Sequence, residues 1–168
     1  KGPPRLVQEF PWQGGGAELR VYTDADWGGC KTSRKSTSGG AVITLSTAEA
    51  ELVALVKGTC EAKGVASIMK DLVEEEVAWI GVYTDGSAAI GMVQRQGMGR
   101  VRHIDVGIPW VQQHQKKGAI EVKKVPGQTN PADVFTKSVP AEVMWRHVRA
   151  LGFKEREGRA EEAVNLVK

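Results

Sequence analysis

The chain has 168 residues, 41% of them apolar and 26% charged, with a net charge of +3 at pH 7. That balance suits one compact domain with a sizeable core, and a pI near 8.9 admits a polyanionic partner without demanding one. Two cysteines, Cys30 and Cys60, lack CxxC spacing and a His cluster, which speaks against a zinc site and a disulfide framework; no apolar run approaches the ~20 residues of a membrane span, and the N-terminus does not lead into a signal-peptide core. Reduced thiols in an intracellular protein are the expectation.

Residues 1–16 read as an irregular N-terminal arm, because prolines are followed by Gly14-Gly15-Gly16. A strand is expected over about Glu18 to Thr23, then a polar loop from Lys31 to Gly40, then a short strand over Ala41 to Leu45. Ser46-Thr47-Ala48-Glu49 has the capping-box pattern and opens a helix expected to run from Thr47 to Val73, with Leu52, Leu55, Val56, Ala62, Ala66 and Met69 near helical spacing. Gly58 and Gly64 mark a kink or a close backbone contact. Ala78 to Thr84 is a buried strand ending at Asp85. Ser87 to Gln96 and Ile104 to Lys117 are helices, separated by a basic, glycine-rich loop from Gly97 to Arg102. Ile120 to Val125 is a strand, Asn130-Pro131 a helix start, and Ala141 to Leu151 a last helix before a charged tail. The alternation indicates an α/β layer fold with a mixed sheet, organised as the arm, a domain over 17–140, and a C-terminal helix and tail over 141–168.

The acids fall at the ends of elements. Asp24 closes the first strand in "VYTDADWGGC", Asp85 closes the central one in "VYTDGSAAI", Glu49 and Glu51 lie early in the long helix, and Asp133 opens a helix in "NPADVFTK". Sites in open α/β sheets form at the carboxyl ends of strands. A set of carboxylates without His or Cys offers hard oxygen ligands, which suit Mg²⁺ or Mn²⁺. Each acid also has a plain structural use: Asp after a strand as a turn residue or cap, Asp133 as first-turn charge, Glu49 as the capping-box partner. Asp24 follows an extended run, whereas Asp26 sits where the chain turns, so Asp24 is the metal candidate and Trp27 is expected to pack locally.

The ordered motifs "YTDADWGGC…RKSTSGG", "LSTAEAELVAL", "VYTDGSAAI", "RHIDVGIPWVQ" and "VPGQTNPADVFTK" resemble the ribonuclease H domain of copia-type LTR retrotransposon polyproteins, over roughly Arg5 to Pro140. The resemblance implies an RNase H-like α/β fold, a mixed sheet flanked by helices. It implies endonucleolytic hydrolysis of the RNA strand of RNA–DNA hybrids, with two Mg²⁺ or Mn²⁺ ions as cofactors and Asp24, Glu51, Asp85 and Asp133 as the catalytic, metal-binding acids. "ELVAL" favours Glu51 over Glu49. Arg34, Lys35, Ser36 and Thr37 form one donor-rich run for phosphates, and Gly99, Arg100, Arg102 and His103 a second basic patch; either also fits an ordinary solvated loop. Ser87 and Asn130 are caps first and substrate contacts second, His103 a structural hydrogen-bonder. Other polyprotein domains or a larger assembly are the implied partners, and cytoplasm, virus-like particle or nucleus the implied compartments. One departure stands out. Gly39-Gly40 runs almost directly into the Ala41–Leu45 strand, so about fifteen residues are missing relative to the family, roughly a strand and a turn. One early antiparallel strand is therefore expected to be lost or shortened, and a degenerate or repurposed domain acting as an interaction subunit is the second reading.

Overall fold

The computed structural model describes residues 5–8, 17–27, 36–37, 41–42, 44, 46–73, 76–95, 97 and 107–158. They fall into two units, Lys1–Trp12 with Pro140–Lys168, and Gln13–Val139. In the first, strand β1 (Arg5–Gln8) pairs antiparallel with β7 (Phe153–Arg156), and helix α5 (Ala141–Ala150) packs against β7 with His147 buried. Arg5–Gln8 lies in the stretch expected to be irregular, and Phe153–Arg156 in the expected tail. The four residues Arg5–Gln8 alternate in burial and find a partner at the other end of the chain. Local composition cannot reveal such a partner.

The second unit is built on a parallel sheet, β2 (Ala17–Thr23), β5 (Val77–Thr84) and β6 (Glu121–Lys124), in the order β2-β5-β6. Between β2 and helix α1 (Thr47–Val73), the described residues form only a two-residue antiparallel ladder, β3 (Ser36–Thr37) with β4 (Ala41–Val42). Helices α2 (Ser87–Gln94) and α3 (Gly107–Lys116) connect β5 to β6, and the short α4 (Asp133–Thr136) follows a 3₁₀ turn at Gly127–Thr129. The result is an α/β fold with a parallel sheet flanked by helices, compatible with the RNase H-like architecture.

The period-2 pattern of the strands divides the sheet. Val21, Val82 and Val122 lie in register across the three strands and face the core, where Leu52, Leu55, Ala62, Val93, Ile108 and Val111 of the three long helices meet them. The opposite face carries Tyr22 stacked on Tyr83 at 5.0 Å, Trp79 edge-on to Tyr83, and Lys123 4.7 Å above the Trp79 ring. Ser46 caps α1 as read: the Glu49 N–H donates to Ser46 Oγ at 3.2 Å. Gly58 is where α1 crosses β2. A β-carbon there would run into Thr23 Cγ2 and lie 3.1 Å from Val21 Cγ1, whereas Gly64 faces open space. Only the first of the two glycines is required by a close approach.

Candidate metal centre

Four letters recur in the sequence, Val21-Tyr22-Thr23-Asp24 and Val82-Tyr83-Thr84-Asp85, and the fold lays them side by side. Val21 pairs with Val82, Tyr22 with Tyr83 and Thr23 with Thr84 in parallel register. The chain therefore delivers Asp24 and Asp85 together at the carboxyl ends of adjacent strands, the edge where α/β proteins place their sites. Helix α1 adds Glu51. Residues two apart on a helix lie about 200° apart around its axis, so Glu51 and Glu49 point to different surroundings. Glu51 joins the aspartates, while Glu49 gives its backbone N–H to Ser46 Oγ.

Asp24, Glu51 and Asp85 each offer one carboxylate oxygen, and the three oxygens lie within 4.8 Å of one another. This triad could hold a metal ion. Thr84 Oγ1 donates to Glu51 Oε2 at 3.4 Å and accepts the Gly86 N–H at 3.1 Å. Burial, then the charges of Asp24 and Asp85, push the Glu51 carboxyl up to about 7, against smaller opposing bonds from the Ala25 N–H and Thr84. Asp85 is also raised, first by burial and then by Asp24, with Lys137 pulling the other way. Among the described residues, its buried Oδ1 has no hydrogen-bond partner. Carboxylates crowded and desolvated in this way favour either protons or a cation, and an all-oxygen donor set matches a hard divalent ion.

Two glycines leave room for the triad. A β-carbon on Gly86 would lie 2.9 Å from Glu51 Cβ and Cγ, and one on Gly127 would lie 2.9 Å from Asp85 Oδ2.

Asp133, the fourth acid of the sequence reading, stands outside this group of three. It is bound instead to Lys137, whose ammonium donates to Asp133 Oδ1 at 3.0 Å and to Asp24 Oδ1 at 3.2 Å. Burial disfavours that ammonium, but the bond to Asp133 and the charge and bond of Asp24 outweigh it and raise the lysine. The neighbouring Thr136 hydroxyl donates to Asp24 Oδ2. Thr136 and Lys137 were not singled out from the sequence, although an Asp and a Lys four apart on a helix are a readable ion pair.

The expected substrate contacts distribute as follows. Asn130 is fully buried: its Nδ2 donates to the Thr23 carbonyl at 3.0 Å and its Oδ1 accepts the Ala132 N–H at 3.2 Å. Asn130 is a strut between β2 and the α4 entrance, bonded to backbone at both ends of its amide, and α4 begins at Asp133 rather than beside it. Ser87 is exposed and its Oγ accepts from Lys124 Nζ at 2.6 Å; the cap position of α2 belongs to Gly86. Ser36 lies in β3. Arg34, Lys35, Arg100 and Arg102, with Gly99 and His103, lie outside the described residues. Trp27 is half-exposed and its indole donates to the Thr44 carbonyl, 17 residues on, at 3.3 Å. Beside Asp24 opens a groove of about 570 Å³, lined by Val21, Gly58, Cys60, Phe135 and Thr136 among others. The Phe135 side chain is 75% exposed.

An α/β domain with clustered carboxylates at the carboxyl ends of adjacent parallel strands is the class that fold and site define. The chain is similar to the retrovirus-related Pol polyprotein from transposon TNT 1-94 of Nicotiana tabacum, 32% identical over 139 residues, a match covering 73% of this chain and 10% of that polyprotein. It thus spans about a tenth of the length of that curated relative, and the likeness points to a retroelement-derived protein. No family model matches the chain, and no solved structure matches it. Among the described residues, no helix is long and apolar enough to cross a membrane.

Proposed function

We propose that the chain is the ribonuclease H-type domain of a retroelement polyprotein and hydrolyses the RNA strand of RNA–DNA hybrids. The observation that carries this reading is the convergence of Asp24, Glu51 and Asp85 within 4.8 Å, in motifs that resemble that nuclease family and in a chain similar to part of a Pol polyprotein. The three carboxylates would hold Mg²⁺ or Mn²⁺. Bound there, a divalent ion supplies an activated water and stabilises the leaving oxygen, so the protein needs no nucleophile of its own. The chain's part is positional. The in-register strands fix Asp24 against Asp85, the Ala25 N–H and Thr84 orient Glu51, and Gly86 and Gly127 keep side chains out of the space between.

The groove beside Asp24 and the exposed Phe135 ring would meet the hybrid by shape and stacking rather than by base-edge readout, so low sequence preference is expected. The test is cleavage of an RNA–DNA hybrid with Mg²⁺ by the purified folded chain, with Asp85→Asn as control. Metal-dependent cleavage lost in the variant supports the reading; no cleavage, or equal cleavage by both, sinks it. One observation favours the second reading, a catalytically silent subunit of a larger assembly: Asp133 is paired with Lys137 instead of joining the triad. The same assay separates the two.

A further inference from the structure

The end of α4 does something to the site that the nuclease reading does not use. Two consecutive side chains, Thr136 and Lys137, take both oxygens of Asp24. The Asp24 side chain is 1% exposed, and the lysine that reaches it is anchored from the outer side by Asp133. The ammonium is thus held between Asp24 and Asp133, the two carboxylates that the resemblance to a two-metal nuclease would assign to a second ion. At 3.2 and 3.0 Å it stands at hydrogen-bond distance from both, whereas Mg²⁺ would need oxygens at about 2.0–2.1 Å. Ammonium and ion cannot share that position.

We propose that Lys137 is a tethered cation filling the second-ion position. The folded chain then takes one divalent ion at Asp24, Glu51 and Asp85, and a second enters between Asp24 and Asp133 only by displacing the lysine. This rests on the triad being a metal site. It gives Lys137 a positioning role: it holds Asp133 and α4 against the end of β2 when the outer position carries no metal, and it sets the number of ions the site accepts. It also accounts for why Asp133, present in the right motif, does not join the other three acids.

The experiment is a Mn²⁺ titration of the full chain, followed by calorimetry and by electron paramagnetic resonance of free Mn²⁺, on the wild type, Lys137→Met and Lys137→Arg. The wild type and Lys137→Arg are expected to bind one ion. Lys137→Met is expected to bind two, the second at least about tenfold more tightly than any second event in the wild type, since removing the tethered charge removes the competitor. If Lys137→Met does not fold, Lys137→Gln, which keeps a donor for Asp133, makes the same comparison. One ion in the wild type and in the neutral variant, or two of equal affinity in both, overturns the inference while leaving the triad a metal site. No Mn²⁺ bound by any of them overturns the inference and the nuclease reading together.

Discussion

Gly127 faces the Asp85 carboxylate so closely that a β-carbon on it would sit 2.9 Å from Asp85 Oδ2. The contact comes from the turn that leads toward α4, and it turns a loop glycine into a wall of the site. Gly127→Ala is therefore expected to push the carboxylate away from Glu51 and Asp24. Mn²⁺ affinity should fall on the order of tenfold, since metal ligation tolerates little displacement. The loss of stability should be smaller, within the ~1–3 kcal/mol of a single overpacked methyl. Calorimetric titration and a thermal melt on the same sample check both; an unchanged affinity would mean that the carboxylate moves freely.

The two glycines of α1 should respond to alanine with opposite signs. At Gly58 the new methyl meets Thr23 and Val21 of β2, buried or partly buried neighbours in a packed sheet, and overpacking costs about 1–3 kcal/mol. At Gly64 it meets nothing within 4 Å, and the helix gains about 0.5–1 kcal/mol from alanine's propensity. Urea unfolding of the two variants beside the wild type tests this. Destabilisation by both, or by neither, contradicts the assigned crossing point.

Without metal, stability should fall as pH rises through the neutral range, the reverse of the usual behaviour of a salt-bridged acid. Glu51 titrates near 7 in the folded chain against an ordinary value of 4.5, because burial and then Asp24 and Asp85 disfavour its charge. Between those values the folded state binds more protons than the unfolded state. The slope of stability against pH is then negative, so the stabilising effect of the protonated carboxyl is full below about 4.5 and lost as pH climbs through 7. Asp85, also raised, adds in the same direction. Thermal melts in chelator from pH 5 to pH 8 should show this decline, flattened in Glu51→Gln and opposed by added Mg²⁺, which binds only the folded state. A wild-type slope no different from that of Glu51→Gln would count against burial of the charge.

Much of this arrangement was legible because local and periodic signals agreed. The capping box at Ser46 and the apolar spacing after it mark α1 over Thr47–Val73, and the repeated "VYTD" anticipates the pairing of Asp24 with Asp85 because parallel strands in register carry equal letters to equal depths. The choice of Glu51 over Glu49 rested on motif likeness and on the cap role of Glu49, and the helix rotation separates the two side chains. What could not be read depended on partners distant in sequence. The strand at Arg5–Gln8 needs Phe153–Arg156. The displacement of Asp133 from the triad needs Lys137 to reach back to Asp24, 113 residues away. Asn130 looked like a cap because asparagine before proline commonly is one; its side chain instead spans to a strand 107 residues earlier.

That span yields the last prediction. Asn130 satisfies the Thr23 carbonyl with its Nδ2 and the Ala132 N–H with its Oδ1, in a fully buried position. It ties the last residue of β2, just before Asp24, to the entrance of α4, which carries Asp133 and leads to Lys137. Asn130→Asp keeps the shape but replaces the donor by an acceptor, setting a carboxylate oxygen against the Thr23 carbonyl. Leaving a buried acceptor unpaired costs about 1–3 kcal/mol and a buried charge more, so the variant should unfold at markedly lower urea. Lowering the pH should restore part of the loss, because the protonated carboxyl regains a donor. Asn130→Ala should lose comparable stability but show no such recovery. The decisive measurement is the difference between the two variants as pH is lowered from 7 to 5; parallel curves would mean that the amide is not the link between the Asp24 strand and the Asp133 helix.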